Sequence, residues 1–428
     1  MVQPRPSPSG LTTLGQAALD RRLDTKADAP IAVAYSGGGD SLAALIAVKT
    51  WADRHGRRVV ALHVDHRLQP SSDAWADGAQ AVARSLGLAC EILPWMGEKP
   101  TRGLPAAARQ ARHSLIAGAA RALGARAIVF GHTADDEREA ALMRLDGASL
   151  GRLAEWRPSP VWPQGRDLFL LRPLLDHRRA ALRDWLGALS YPWIDDPAND
   201  DPRYARARAR TQLAAQNDEA PPIGHAEDPA LADLARGAQV SAAGAIVIAR
   251  TALTNAPAQA ARRFLSAALT CAGGGDRPAR RERLEAMIAR LRAPGALIAT
   301  LAGAKLAATE KIIITREAGA FRRYGTPVQS LEPDLPTIWD GRFALEPRTS
   351  SALTVGPLVG VATKLPSFQR NRLSDLPREA RPTLPVIWDE AGAATCPILA
   401  EDSPVTAKCL VEARLLAVCG VISKESEI

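Results

Sequence analysis

Between residues 29 and 150, short apolar runs alternate with longer stretches in which apolar residues recur at helical spacing. Each apolar run is bounded by polar or glycine residues, as is typical of the buried strands of a parallel sheet. We predict strands over residues 31–35, 58–65, 88–93 and 125–131, and helices over residues 41–51, 72–86 and 105–123. This alternation indicates an α/β fold built on a parallel sheet.

Beyond residue 215 the pattern changes. Residues 217–229 form a polar, proline-rich connector, and residues 231–272 and 277–291 are predicted to be amphipathic helices with many arginines. Residues 299–307 and 311–317 are predicted to be two strands of a hairpin. The domains we expect are an N-terminal extension (1–28), the parallel-sheet domain (29–216), a helical domain that binds substrate or tRNA (230–325) and a small mixed α/β C-terminal domain that binds tRNA (326–428).

The charge favours a polyanionic partner, because the 428 residues carry a formal net charge of +8. Such a balance also occurs in proteins that bind no nucleic acid. Trp339, Phe343 and Trp388 could stack on unpaired bases, but we expect them to be core residues instead.

The five cysteines are scattered, odd in number and form no Cys-x-x-Cys pair. The sequence therefore indicates neither a disulfide framework nor a zinc site, and a reducing cytoplasm fits best. We expect no signal peptide and no membrane span, since no apolar run is long enough.

The chemistry-bearing segment is the glycine-rich turn Ser36-Gly37-Gly38-Gly39-Asp40-Ser41, which joins the first predicted strand to the first predicted helix. Its glycines allow the amides to turn around an anion, and the helix N-terminus favours the same charge. It fits neither a Walker loop, which needs a lysine, nor a dinucleotide fingerprint. It resembles the PP-loop of enzymes that split ATP into AMP and pyrophosphate. An ordinary glycine-rich turn is the alternative.

Polar clusters follow three of the predicted strands, at residues 36–41, 65–67 and 132–136. Because ligands bind beyond the carboxyl ends of parallel strands, we expect the clusters to meet in one crevice. The third cluster begins with His132, a candidate phosphate or acid/base contact, and continues with Asp135, Asp136 and Glu139 at helical spacing. These acids could hold magnesium or a cationic amine, or could simply match the helix dipole.

Six motifs in this order resemble the tRNA(Ile)-lysidine synthetase family: residues 36–41, 64–68, 108–113, 131–136, 172–175 and 196–210. The last, with Asp196, Asn199 and Tyr204 followed by spaced arginines, is much more particular to this family than the first. The resemblance is strong over about residues 29–215 and weaker beyond. It implies ATP-dependent ligation of free L-lysine to the wobble cytidine of a tRNA(Ile) with a CAU anticodon, through an adenylated cytidine.

The resemblance also implies roles for individual residues. Asp40, Arg112, His132 and Asp136 would be catalytic, and Asp40 would help to hold Mg²⁺ beside ATP. The ATP contacts would be Ser36, Gly37, Gly38, Gly39, Asp40, Ser41, Val64 and Asp65. Lysine would be held by Asp135, Asp136 and Glu139, and phosphates of ATP or tRNA by Arg206, Arg208 and Arg210.

The sequence departs from the family pattern at Gly103, Pro105, Ala140 and Ala207, so the resemblance implies no contacts for these four positions. Two other functions stay open: another PP-loop tRNA-modifying enzyme such as a thiolase, and a non-catalytic adenine-nucleotide binder. A thiolase usually needs paired cysteines, and a binder would not need an intact phosphate loop. The sequence also leaves open whether the chain forms a homodimer.

Overall fold

The computed structural model describes residues 14–147, 151–195, 201–203, 205–214 and 228–428. The chain divides into two compact units. Unit 1 comprises Met1–Ala226 together with Ile422–Ile428, and unit 2 comprises Glu227–Val421. Most of the predicted connector 217–229, and Asp196, Asn199 and Tyr204 of the last motif, lie outside the described residues. The domain boundaries drawn from the sequence stay predictions.

Unit 1 is built around a sheet of six strands in the order β3-β2-β1-β4-β6-β5. Its elements are α1 (Gln16–Arg22), β1 (Ile31–Ala34), α2 (Gly39–His55), β2 (Val59–Asp65), α3 (Ser72–Ser85), β3 (Ala89–Pro94), α4 (Leu104–Ala122), β4 (Ala127–Phe130), α5 (Ala134–Leu145), β5 (Trp156–Pro158), β6 (Phe169–Leu171), α6 (Arg179–Ala188) and α7 (Ala205–Ala214). The strands are parallel except for β5, which runs antiparallel to β6. The predicted parallel α/β fold is confirmed.

The central strand β1 explains where the site lies. Ala32 pairs with Val60 of β2 on one side and with Ile128 of β4 on the other, so the carboxyl ends of these three strands meet at one edge. Helix α2 follows β1 after the glycine-rich turn, and its Leu42 and Leu45 are fully buried. Its apolar residues pack against the sheet and against helices α1 and α6. Helix α1, within the segment predicted to be an extension, packs on α2 with Leu19 fully buried.

Residues 422–428 complete unit 1 although 195 residues of unit 2 precede them in the chain. The buried carboxylate of Glu425 accepts hydrogen bonds from the Arg57 guanidinium at 2.9 and 3.0 Å and from the Asp24 amide at 2.9 Å. The Ile422 carbonyl accepts a further bond from the Trp156 indole at 3.2 Å. These contacts attach the segment to unit 1 by polar groups rather than by a large apolar face.

Unit 2 combines helices with antiparallel sheets. Its elements are α8 (Pro229–Arg236), β7 (Gln239–Val240), β8 (Ile246–Ala249), α9 (Arg250–Asn255), α10 (Ala258–Gly273), α11 (Arg281–Arg292), β9 (Leu297–Leu301), β10 (Ala304–Ala308), β11 (Lys311–Arg316), α12 (Gly319–Tyr324), β12 (Gln329–Leu331), β13 (Thr337–Trp339), β14 (Phe343–Pro347), β15 (Leu353–Pro357), α13 (Ser367–Arg372), β16 (Pro385–Trp388), β17 (Ala394–Thr395), β18 (Val405–Cys409) and α14 (Val411–Val418). The strands form sheets in the orders β7-β8-β11-β10-β9, β12-β15-β16-β17 and β13-β14-β18.

Two expectations for unit 2 need correction. Residues 231–272 are not helical throughout, since β7 and β8 interrupt them and Ile248 of β8 pairs with Ile312 of β11. The predicted hairpin is larger than expected, because residues 297–308 already contain β9 and β10 and β11 adds a further strand. Trp339 and Phe343 lie in a buried apolar core, as expected. None of the helices in the described parts of the chain is long and apolar enough to cross a membrane.

Candidate active site at the carboxyl edge of the parallel sheet

The glycine-rich turn 36–41 adopts a shape that its sequence makes possible. Gly37 has φ +86°, and a Cβ there would lie 2.7 Å from Cδ1 of Ile194. The Gly37 carbonyl accepts a hydrogen bond from the Ile194 amide at 2.9 Å, and the Ser41 hydroxyl donates to the Gly38 carbonyl at 2.8 Å. The turn is therefore held by an internal bond and by a bond from Ile194, with the N-terminus of α2 at its end. This arrangement suits a phosphate group.

A cavity of about 450 Å³ lies beyond the strand ends, within the usual size range of small-molecule sites. Of the predicted site residues, those that line it are Ser36, Gly38, Gly39, Asp40, Ser41, Val64, Asp65, Arg112, His132, Asp136, Arg206 and Arg210. The three polar clusters therefore meet in one crevice, as predicted. Gly37, Asp135, Glu139 and Arg208 are not among the lining residues.

At the end of β2, the carboxylate of Asp65 is held in place by its neighbour Arg67. It accepts bonds from the Arg67 amide at 2.9 Å and from the Arg67 Nε at 3.2 Å. On the same strand, Nδ1 of His63 bonds the Tyr35 carbonyl at 3.0 Å and ties β2 to the start of the phosphate turn. This end of the cavity is thus rigid, with Val64 beside Asp65.

His132 follows β4 and is held by Arg172, whose Nε donates to His132 Nδ1 at 3.1 Å. Burial, together with the charges of Arg172 and Arg112, keeps the pKa of His132 well below its ordinary value. The imidazole is therefore neutral, and because Nδ1 accepts a bond, its proton lies on Nε2. His132 can donate a hydrogen bond into the cavity without carrying a charge.

Arg112 of α4 lines the same cavity with a buried Nε that has no hydrogen-bond partner among the described residues. Burial and the nearby Arg109 and Arg206 lower its pKa to about 10, so the guanidinium remains charged at neutral pH. A buried cationic donor without a partner is costly unless an anion approaches it. Arg112 therefore adds a second candidate anion-binding group to the cavity that the phosphate turn lines.

Two acids of α5, Asp136 and Glu139, are buried and accept hydrogen bonds from neighbouring groups; we call them the acid pair. Asp136 accepts bonds from the Thr133 amide at 2.7 Å and the Thr133 hydroxyl at 2.9 Å, which fixes the carboxylate at the start of the helix. Glu139 lies one turn further on and is only 1 % exposed. Asp135 is turned away from the cavity lining and accepts from the Arg179 amide at 2.7 Å and from Arg178 Nε at 3.1 Å.

Three arginines surround this acid pair. Arg206 donates to Asp136 and to Glu139, at 2.7 Å each, and Arg210 donates to Glu139 at 2.9 Å. Arg179 bonds Glu139 at 3.0 Å, Asp136 at 3.3 Å and Asp40 at 2.7 Å. Burial opposes ionisation of Glu139, but the bonds from Arg210 and Arg206 and the charge of Arg179 keep its pKa below the ordinary value. The Glu139 carboxylate is therefore ionised at neutral pH.

Arg208 and Arg179 make contacts that the sequence analysis did not predict, and the role of Arg208 at a phosphate stays a prediction. Arg208, predicted together with Arg206 and Arg210, instead donates to the carbonyls of Pro202 and Arg203 at 2.9 and 3.1 Å. The side chain of Arg179, which the sequence analysis did not single out, contacts Asp40, Asp136 and Glu139. The sequence contains one indication of this role. A basic residue in the first turn of a helix such as α6 interacts unfavourably with the helix dipole, which indicates that nearby acids compensate for it.

Asp40 is the candidate Mg²⁺ ligand. Burial raises its pKa, an effect that the charge and the hydrogen bond of Arg179 partly offset. The described residues contain no cluster of three or more acidic, His or Cys side chains that could hold a metal by themselves. Mg²⁺ commonly uses one or two carboxylates and completes its shell with phosphate oxygens and water, so Asp40 beside a bound polyphosphate fits the ion.

The chain resembles several known proteins in sequence or in fold. A family model described as a PP-loop domain matches residues 12–217. The tRNA(Ile)-lysidine synthase of Caulobacter vibrioides is 44 % identical over 96 % of this chain and 98 % of its own length. That of Mesorhizobium japonicum is 36 % identical over 77 % of this chain and 76 % of its own length. Among solved structures, the U34-tRNA thiolase NcsA of Methanococcus maripaludis is 15 % identical with a TM-score of 0.39, over 49 % of this chain and 74 % of that one.

The two lysidine synthases match most of this chain, and the first also spans the part that follows the phosphate-binding unit. The motifs at residues 36–41 and 131–136 lie inside the region that the PP-loop model matches. The chain belongs to the tRNA(Ile)-lysidine synthase family.

Proposed function

We propose that this protein uses ATP to attach free L-lysine to the wobble cytidine of a tRNA(Ile) with a CAU anticodon. One observation carries the proposal: a single cavity is lined both by a phosphate-binding turn at Ser36–Ser41 and by Asp136 of a carboxylate pair suited to an amine. A pure nucleotide binder has no need of the second group. We further propose that unit 2 contacts the tRNA; the net charge of +8 carried by the whole chain suits such a polyanionic partner.

In the first step, the cytosine O2 attacks the α-phosphorus of ATP and pyrophosphate leaves. The amides of the phosphate turn and the guanidinium of Arg112 would hold the polyphosphate and stabilise the charge that develops on it. Neutral His132 would donate from Nε2 to a phosphate oxygen. Asp40 would hold Mg²⁺, which supplies charge neutralisation at the phosphates when bound.

In the second step, the lysine ε-amine attacks C2 of the adenylated cytidine, and AMP leaves with the former O2. The free amine has a pKa of about 10.4 and must lose a proton before it attacks. Asp136 and Glu139 would bind the ammonium and orient it towards C2, and the carboxylate of Asp136, which lines the cavity, would accept its proton as the amine attacks. Lysine specificity would then rest on a charge at the end of a long apolar stem.

The thiolase alternative finds no support in the position of the cysteines. Among the described residues that line the cavity there is no cysteine. Cys90 lies in β3 of unit 1, and burial, with the nearby Glu91, raises the pKa of its thiol to about 11, so little thiolate is present at neutral pH. Sulfur transfer through this site would need a thiolate close to the phosphate turn.

The test combines the purified full chain with ATP, labelled lysine and three transcripts: tRNA(Ile) with CAU, the same tRNA with GAU, and a methionine tRNA with CAU. We expect label only in the first, with one AMP released for each lysine incorporated. Incorporation of sulfur instead of lysine would favour the thiolase, and the absence of AMP would favour the nucleotide binder.

A pair of variants separates the two steps. Glu139→Gln should abolish lysine incorporation while the adenylated tRNA still forms and accumulates, since the proposed first step involves no contact between Glu139 and ATP or the cytosine. Glu137→Gln is the matched control, because the Glu137 carboxylate bonds Arg144 and the Leu153 amide instead of the acid pair. Normal lysine incorporation by Glu139→Gln would contradict the assignment of the amine site.

A further inference from the structure

The proposed amine site is already occupied by guanidinium groups of the protein. Each oxygen of Asp136 and Glu139 accepts at least one hydrogen bond, from Thr133, Arg179, Arg206 or Arg210. A lysine ammonium needs the same acceptors and would also be repelled by three nearby cations. Lysine can therefore bind strongly only after at least one guanidinium has moved away.

The three arginines differ in how firmly they are held. Arg179 is 16 % exposed, lies at the start of α6 and also pairs with Asp40. Arg206 and Arg210 are 41 % and 31 % exposed. Their helix α7 packs on α5 and buries only small side chains among its described residues, those of Ala207 and Ala209. Little apolar burial therefore opposes a displacement of α7, whereas Arg179 is fixed on two sides.

Arg206 and Arg210 line the same cavity as the phosphate turn. A polyphosphate bound at residues 36–41 is a dense anion whose oxygens accept charge-assisted bonds from guanidinium groups. The acid pair and the polyphosphate thus compete for the same two arginines within one cavity.

We propose that Arg206 and Arg210 close the amine site until the polyphosphate of ATP draws them from Asp136 and Glu139, so that the nucleotide must bind before lysine. This inference rests on the proposed function, in which these acids bind the amine. It gives the two arginines a second role: besides neutralising phosphate, they prevent occupation of the amine site in the absence of ATP.

The test measures lysine binding to the full chain by calorimetry, alone and with saturating α,β-methylene-ATP, which cannot be cleaved at the α-phosphate. We expect the analogue to raise the affinity for lysine at least about tenfold, and lysine to raise the affinity for the analogue by the same factor. In the double variant Arg206→Gln, Arg210→Gln, lysine should bind more tightly without nucleotide than it does to the unmodified protein. The coupling, which is the ratio of the lysine affinities with and without the analogue, should approach one. If these arginines only supported the structure, lysine affinity would fall instead.

Arg208→Gln is the matched control on the same helix, because Arg208 bonds main-chain carbonyls, and it should keep the coupling of the unmodified protein. Equal lysine affinity with and without the analogue would overturn the inference but not the proposed function. Coupling produced by the tRNA transcript alone, and not by the analogue, would overturn it too. Lysine binding that Glu139→Gln leaves unchanged would refute the proposed amine site itself, and the inference with it.

Discussion

Gly131 follows β4 and packs directly against the backbone of the phosphate turn. Its replacement by alanine tests how closely β4 and the turn must approach each other. A Cβ at this position would lie 2.4 Å from the Asp40 carbonyl oxygen and 2.8 Å from the Ser41 Cα. Both atoms belong to the backbone of the first turn of α2, so no side-chain rotation relieves the overlap. Ordinary contacts of a Cβ begin near 3.4 Å, so β4 and the turn must separate by roughly 1 Å.

Overpacking of this kind costs typically about 1–3 kcal/mol. For a unit of about 200 residues, a loss of about 2 kcal/mol lowers the melting temperature by about 4–8 °C. A displacement of about 1 Å at a binding turn can also cost about 100-fold in activity. We therefore expect Gly131→Ala to lose both thermal stability and affinity for α,β-methylene-ATP, as measured by calorimetric unfolding and by titration.

Gly118→Ala is the matched control, because a Cβ at this exposed position of α4 would meet no atom within 4 Å. Replacing a helical glycine by alanine stabilises a helix by about 0.5–1 kcal/mol, so this variant should melt slightly higher and bind the analogue normally. If Gly131→Ala melted and bound nucleotide like the unmodified protein, the close approach of β4 and the turn would not be required and the reasoning would fail.

Three further predictions concern buried charges. Burial, together with the charge of Arg112, lowers the pKa of His113 to about 3, so below about pH 6.5 the unfolded chain binds a proton that the folded chain does not. The free energy of unfolding should therefore fall by up to about 1.4 kcal/mol for each pH unit below this value. His113→Asn should reduce this dependence when the free energy of unfolding is measured at pH 7 and at pH 5.5. Glu425→Gln leaves the buried Arg57 without its counter-charge and should cost about 3–5 kcal/mol, whereas Glu427→Gln, at an exposed position, should change the melting temperature little. Arg112→Gln should weaken binding of the ATP analogue about 10- to 100-fold, with partial recovery in Arg112→Lys; unchanged affinity would show that its unpaired Nε does not meet a phosphate.

The part of unit 1 around the phosphate turn was predictable from sequence because its signals are local, whereas the short strands β5 and β6 were not predicted. Each strand around the site is an apolar run that ends at polar or glycine residues, and the turn 36–41 has the glycines that its shape requires. The strand β8 was missed for the opposite reason. Ile246–Ala249 is a short apolar run that fits a buried helix equally well, and its partner β11 lies more than 60 residues further along the chain.

The charge network of the site was less predictable than its acids. Asp136 and Glu139 share a helix face by their spacing, but which arginines reach them depends on how α6 and α7 pack beside α5. Arg206 and Arg208 are two residues apart on α7, and only Arg206 faces the acid pair. Helical spacing can show that two arginines lie on different faces of α7, but it cannot show which of these faces packs against the acid pair.

The attachment of residues 422–428 to unit 1 has a consequence for synthesis on the ribosome. When the first 226 residues have been made, Arg57 still lacks Glu425, which follows about 200 residues later. At about 5–20 residues per second, that interval lasts about 10–40 s. During this interval the Arg57 guanidinium has no carboxylate from Glu425 to neutralise it, so it must stay in contact with water. The phosphate-binding unit can thus start to fold before unit 2 has been synthesised, but it is completed only afterwards.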